Sequence, residues 1–169
     1  MKRTHRMYGF VPYNISPIQQ GIQFGHAVQE YNNLMGSLNT GIKATEHSAF
    51  DAWRKYDKTF IILNGGTTNS NPENLGTLNK ILNDLTDAGV LCASFNEPDL
   101  GDQLTAVVFI ADDRVFDRET WKDYTGVFYL NGEPEATAYW HWKMKFADTE
   151  EEADRIVWLR NFLKSYKLA

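Results

Sequence analysis

The chain has 169 residues, a formal net charge of −5 and an estimated pI of 5.3. That balance argues against broad, sequence-independent binding to nucleic acid, although it leaves room for a local basic patch. The single cysteine, Cys92, excludes an internal disulfide and any cysteine-based metal cluster. Hydrophobic residues make up 43% of the chain and aromatics 14%, enough for one packed domain of this length without a covalent staple. The basic start, MKRTHR, is not followed by the apolar stretch of a signal peptide. No apolar run approaches the ~20 residues needed to cross a bilayer. The expectation is a soluble, cytoplasmic protein.

Residues 7–13, MYGFVPY, read as a first strand, stopped by Pro12 and a polar turn. Ser16 then caps a helix, because its hydroxyl can accept an orphan amide of the first turn. Pro17 occupies the first helical position, where its missing N–H costs nothing. The helix runs to Leu34 or Met35 and has two contrasting faces. Ile18, Gly21, Ile22, Gly25 and Val28 form a narrow apolar stripe. Two glycines on it predict close packing on a sheet. Gln19, Gln23, His26 and Glu30 form a polar ladder beside it. A loop at 36–41 leads to a second helix over 46–56, with Phe50 and Trp53 on one face. Residues 58–63, KTFIIL, form a continuous apolar run, which predicts a central strand buried on both faces.

The following loop, NGGTTNSNPEN, is rich in Gly, Asn and Thr. Its amides could wrap an anion, but it lacks the Gly-Lys-Ser/Thr ending of a phosphate loop, so a plain connection is favoured. Asn71 and Pro72 open a third helix carrying Leu75, Leu78, Leu82 and Leu85, closed by Gly89. Strands are expected over 90–95, where Cys92 reads as a small core residue, and over 104–110. The acidic loop NEPDLGDQ separates them. Residues 112–124 read as a loop and a short helix, and 127–130 as a further strand. Residues 136–146 alternate, which predicts a half-buried strand with Tyr139, His141, Lys143 and Lys145 on its open face. Thr149 with Glu152 caps a last helix. The fold class expected is α/β: a single domain with a mixed sheet of four to six strands and helices on both faces. The core is placed at 1–130, and 131–169 is a strand-helix extension of the same domain.

Three constellations could carry chemistry. The ladder offers His26 as a general base that Glu30, four residues on, could orient. The acidic loop gathers Asn96, Glu97, Asp99 and Asp102 ahead of Thr105, at the kind of strand end where α/β sheets place sites. Without a histidine or cysteine to back these carboxylates, no metal is expected. The Tyr139 face pairs a stacking ring with lysines, and a lysine-protected strand edge is the plainer reading of it. His5 and His47 receive no role.

The stretch Gln23-Phe24-Gly25-His26-Ala27, on a helix after the first strand, resembles the Q-x-x-H-A signature of the archaeal/eukaryotic-type peptidyl-tRNA hydrolases. The resemblance continues in order through Trp53 before KTFIIL, a leucine-rich helix, an acidic loop residue and Thr105 opening a strand. GVFYL around Tyr129 matches the strand that closes that fold. The likeness spans residues 6–130. It implies cleavage of the ester between a peptide and tRNA, without metal or organic cofactor. By the family pattern the catalytic set is His26, Glu97 and Thr105. Gln19, Gln23, Glu30, Asn96 and Asp99 would bind substrate, and Lys43, Arg54, Lys55 and Lys58 would meet tRNA phosphates. Gln19 stands where the family has a lysine, and the family's second threonine is absent. A second reading therefore stands beside the hydrolase: a non-catalytic binding or regulatory protein on the same fold. Its ligand would be a nucleotide, an RNA end or a host protein, as for a phage-type protein, and its C-terminal extension could serve a homodimer.

Overall fold

The computed structural model describes residues 4–37 and 41–169. Residues 38–40, within the expected 36–41 loop, and the first three of MKRTHR lie outside the described residues. The chain divides into two compact units: Met1–Asp112 with Tyr166–Ala169, and Asp113–Ser165.

The first unit is α/β. Its strands are β1 (His5–Pro12), β2 (Phe60–Gly66), β3 (Cys92–Glu97) and β4 (Gln103–Asp112). They form one mixed sheet in the order β2-β1-β4-β3, with β1 parallel to β2 and β4 antiparallel to both β1 and β3. The helices are α1 (Pro17–Gly36), α2 (Ala44–Ala52), followed by a turn of π-helix over Trp53–Asp57, and α3 (Thr77–Asp87). The interior strands are β4 and β1, the latter apolar and buried from Met7 to Pro12. KTFIIL does not have that place. Strand β2 lies at the sheet edge with Phe60 exposed, and the C-terminal residues run alongside it. Asn64 N donates to Lys167 O at 3.0 Å, and Ala169 N to Ile62 O at 3.0 Å.

Both faces of the sheet carry a helix. A Cβ placed on Gly9 would meet the Phe24 ring of α1. One placed on Gly65 would meet Leu78 of α3 and the Cβ of Phe10. Neighbouring residues of β1 thus face opposite helices, as strand alternation requires. On the α1 side, Met7, Val11, Phe24, Ala27, Tyr31, Trp53, Ala106 and Val108 share one core cluster. On α3 the buried residues are Leu78, Ile81 and Leu85, so Ile81 takes the core place expected of Leu82. Gly89 closes α3 with φ 71°, a conformation glycine adopts without strain.

The buried face of α1 is not the predicted stripe. It consists of Gln23, Phe24, Ala27, Tyr31 and Met35. Ile18 is 77% and Ile22 50% exposed, and a Cβ on Gly21 or Gly25 would meet nothing within 4 Å. The bulky residues of the polar-looking side won the sheet. The close approach needs a glycine on the strand instead, where Gly9 receives the Phe24 ring.

The second unit is helical: α4 (Asp113–Phe116), α5 (Ala136–Lys143) and α6 (Glu150–Leu163). The strand expected over 127–130 is absent. Val127, Phe128, Tyr129 and Leu130 are all exposed, in a tight turn pinned by a single bridge between Phe128 and Pro134. The strand expected over 136–146 is helix α5. Winding brings Tyr139 and Trp142 together, ring centroids 5.3 Å apart, and Trp142 and Phe146 at 5.1 Å. Lys143 is buried and paired with Glu150 and Asp154 of α6 at 2.9 and 2.5 Å. The open face predicted for Tyr139, His141, Lys143 and Lys145 therefore does not exist. Thr149 accepts from Glu152 N at 3.4 Å, capping α6 as expected.

Candidate functional site

The site is built where α1 crosses the ends of β3 and β4. Gln23 is buried at one third of the way along α1, facing the sheet. Its carbonyl Oε1 accepts a hydrogen bond of 2.7 Å from Thr105 Oγ1. Its Nε2 donates to Glu97 Oε2 at 2.6 Å. The amide orientation follows from chemistry: an ionised carboxylate only accepts, so the NH2 group must face Glu97 and the oxygen the threonine. A single polar chain, Thr105 to Gln23 to Glu97, thus joins two strands to a helix over long sequence separations.

Thr105 reaches Gln23 because the ladder slips there. Phe95 pairs with Ala106, but Asn96 pairs with Leu104, so Thr105 is left over as a bulge. Ala106 and Val108 face α1. Regular alternation would turn Thr105 to the opposite face, and the bulge re-aims it toward α1. Thr105 is 1% exposed. Its hydroxyl also lies 3.3 Å from Phe95 O.

Glu97 ends β3 and starts the loop. Pro98–Leu100 form one turn of 3₁₀ helix, and Gly101 and Asp102 follow with φ 67° and 59°. Asp102 N closes the turn on Glu97 O at 3.1 Å, and Asn96 Nδ2 donates to Asp102 O at 2.8 Å. Asn96 and Asp102 are thereby turn-builders. Asp99 is exposed at the tip, its amide 3.5 Å from Glu97 Oε1. Gln103, opposite Glu97 in the ladder, buries its side-chain oxygen without a partner. It was missed in the sequence because glutamine opening an apolar strand carries no signal of its own.

His26 lies one turn beyond Gln23, on the exposed flank of α1. Its ring stacks on Phe95, centroids 4.4 Å apart and planes 30° from parallel. Phe95 is two residues before Glu97 on the same strand, so His26 and Glu97 border one patch. The stack, and not Glu30, orients the imidazole: among the described residues no hydrogen bond or ion pair joins Glu30 to His26. Gln19 is occupied elsewhere. Its Oε1 accepts from Ser16 N and Ser16 Oγ at 3.1 and 3.2 Å, and Ser16 Oγ accepts from Gln19 N, which completes a capping box.

No family model and no curated protein matches the chain. A hydrogen-bonded carboxylate and an exposed imidazole on one patch suit proton transfer to and from water or a bound hydroxyl. Among the described residues no group of three or more His, Cys, Asp or Glu could hold a metal ion, and no helix is long and apolar enough to cross a membrane.

The other candidates separate from this patch. The amides of the Gly/Asn/Thr loop are used by α3: Thr67 N donates to Thr77 Oγ1 at 2.7 Å and Asn69 N to Asn79 Oδ1 at 2.9 Å. That loop is a connection. Arg54 and Lys55 both pair with Asp51 at 2.7 and 3.3 Å. Cys92 is half-buried, and burial pushes its thiol up, opposed by a hydrogen bond with Thr86. It is suited to packing and not to nucleophilic attack.

Proposed function

We propose that the chain is a divergent peptidyl-tRNA hydrolase-like esterase acting without a metal, with His26 and Glu97 as its reacting groups. The observation that carries the reading is the Thr105–Gln23–Glu97 chain with His26 on its border. It links the Q-x-x-H-A helix to the acidic loop and the threonine strand, the three segments on which the family likeness rests. His26, exposed and held by Phe95, takes a proton from the attacking water. The water oxygen adds to the ester carbonyl, and the proton is returned to the departing ribose oxygen. Glu97, held by Gln23, stabilises the imidazolium formed in between. Thr105 is too deeply buried to touch substrate. It is a positioning residue that fixes the Gln23 amide, which in turn fixes Glu97.

The test is release of an N-blocked aminoacyl group from tRNA. His26→Ala should lose roughly 10²-fold or more against wild type, the usual worth of a positioned acid-base group. Equal rates for the two proteins would end the proposal.

A binding or regulatory protein on the same fold is the second reading. It is favoured by the capping box, which commits the Gln19 oxygen to Ser16 at the position where the family carries a cation. Oxyanion stabilisation is usually a large catalytic contribution, and this side chain supplies no charge for it. Under this reading, wild type releases nothing from tRNA yet retains affinity for a nucleotide, an RNA end or a protein partner.

A further inference from the structure

The helical unit holds a cavity of about 320 Å³, at the small end of ligand pockets. Tyr124, Phe128, Tyr139 and Trp142 supply four aromatic walls. Tyr124 meets Phe128 and Tyr139 edge to face, centroids 5.5 and 5.2 Å apart. The Trp142 ring is anchored by its Nε1, which donates to Lys122 O at 2.9 Å. Asn161 and Lys164 of α6 complete the lining with polar groups.

Aromatic walls of this kind take either an organic cation or a flat aromatic ring, and the surrounding charge decides between them. The lining carboxylate, Asp123, is held by Arg118 at 2.5 Å, Arg160 at 2.8 Å and Lys164 at 3.6 Å. Burial pushes the Asp123 carboxyl up, but the Arg160 hydrogen bond and these cations outweigh it and leave it below its ordinary value. At Asp123 three cations surround one anion, so that corner of the cavity carries an excess of positive charge, while Glu133 and Glu135 flank the lining Pro134. At that corner a cation guest would be repelled, whereas the negative group of an aromatic guest would be drawn toward Lys164.

The geometry points to a nucleotide site in the helical unit: a nucleobase stacked among Tyr124, Phe128, Tyr139 and Trp142, its phosphate met by Lys164. Stacking on such rings tolerates any base, because every base has a π-face. Asn161, which lines the cavity, offers an amide able to pair with a base edge. This site shares no residue with the Gln23–Glu97 patch and does not rest on the esterase reading.

Titration calorimetry of the full chain tests it, with adenosine 5′-monophosphate, adenosine, tetramethylammonium and a short oligoadenylate as probes. The monophosphate should bind more tightly than adenosine, and raising the salt should narrow that gap. Phe128→Ala should weaken the monophosphate by roughly ten-fold. Lys164→Gln should bring its affinity close to that of adenosine. Both side chains are exposed enough to change without unfolding the chain, which circular dichroism would verify. Tighter binding of the oligoadenylate would assign the phosphate-bearing base to an RNA strand, and equal or weaker binding to a free nucleotide. Binding of tetramethylammonium in preference to the monophosphate, or binding of neither, would overturn the proposal.

Discussion

Gln23 is the residue through which the candidate site is assembled. Both of its amide groups are spent inside the protein, the oxygen on Thr105 and the nitrogen on Glu97. Replacing Thr105 by valine keeps the shape and removes the hydroxyl, so the buried Gln23 oxygen loses its donor. Thr105→Val should therefore cost about 1–3 kcal/mol, the usual penalty for an orphaned buried acceptor. The loss would appear as a lower urea midpoint with an unchanged slope. A change under about 0.5 kcal/mol would mean that the chain is not a stabilising feature. Gln23, His26, Glu97 and Thr105 were each legible in the sequence as polar groups on the right elements. Their grouping rests on the family likeness and not on the residues themselves, because the Thr105–Gln23 contact needs the one-residue slip opposite Phe95. A bulge in an apolar run such as LTAVVFI leaves no mark on period or composition. Gln19 carries a second local signal, since a glutamine three residues after a serine cap is also the reciprocal half of a capping box.

Helix α1 shows how an element can be recognised and yet turned the wrong way. Its start at Ser16 and Pro17 was legible because capping is local chemistry. Its buried face was not, since Ile18 and Ile22 score as apolar while the sheet accepts Phe24, Tyr31 and Met35. The glycines give a direct test. Gly21→Ala and Gly25→Ala meet open space and should each stabilise by about 0.5–1 kcal/mol, the helix-interior cost of glycine. Gly9→Ala drives a methyl into Phe24 and Val108 and should destabilise by about 1–3 kcal/mol. Thermal melts of the three variants would settle the orientation: falling melting temperatures for the two helix variants would restore the rejected stripe. Helix α5 was misassigned because its aromatics alternate by chance over a short window, while Tyr139, Trp142 and Phe146 also satisfy helical spacing. Its anchor is Lys143. The hydrogen bond from Lys143 to Asp154 raises its pKa, with burial opposing and Glu150 assisting. A lysine raised in the folded state adds stability that is complete below its unfolded value of ~10.4 and is lost as pH rises through the folded value. Wild type should then lose stability above about pH 10 by an increment that Lys143→Met does not show. Parallel melts at pH 9 and pH 11 would reveal that difference, and identical pH responses would contradict it.

At the scale of the molecule, the sheet and its two layers of helices were legible because apolar runs and caps repeat in a fixed order. The strand order was not, since β1 and β2 are both apolar and only tertiary pairing decides which is central. The helical unit was the least legible part. Its organisation depends on Arg160, 1% exposed, which donates to Trp121 O at 2.7 Å, to the carbonyl of Arg114 and to Asp123 at 2.8 Å. No periodicity announces a buried arginine that ties loop carbonyls together. The Gln23–Glu97 patch and the aromatic cavity lie on different units, so the two proposals can be tested one at a time. Phe128→Ala should leave ester release intact, and His26→Ala should leave nucleotide binding intact.

The most direct measurement of the esterase chemistry is single-turnover release of an N-blocked aminoacyl group from tRNA by wild type, His26→Ala and Glu97→Gln. Wild type should release the group, His26→Ala should lose roughly 10²-fold or more and Glu97→Gln should lose less, with all three proteins folded. Release that is absent from wild type, or equal in wild type and His26→Ala, would contradict the esterase reading.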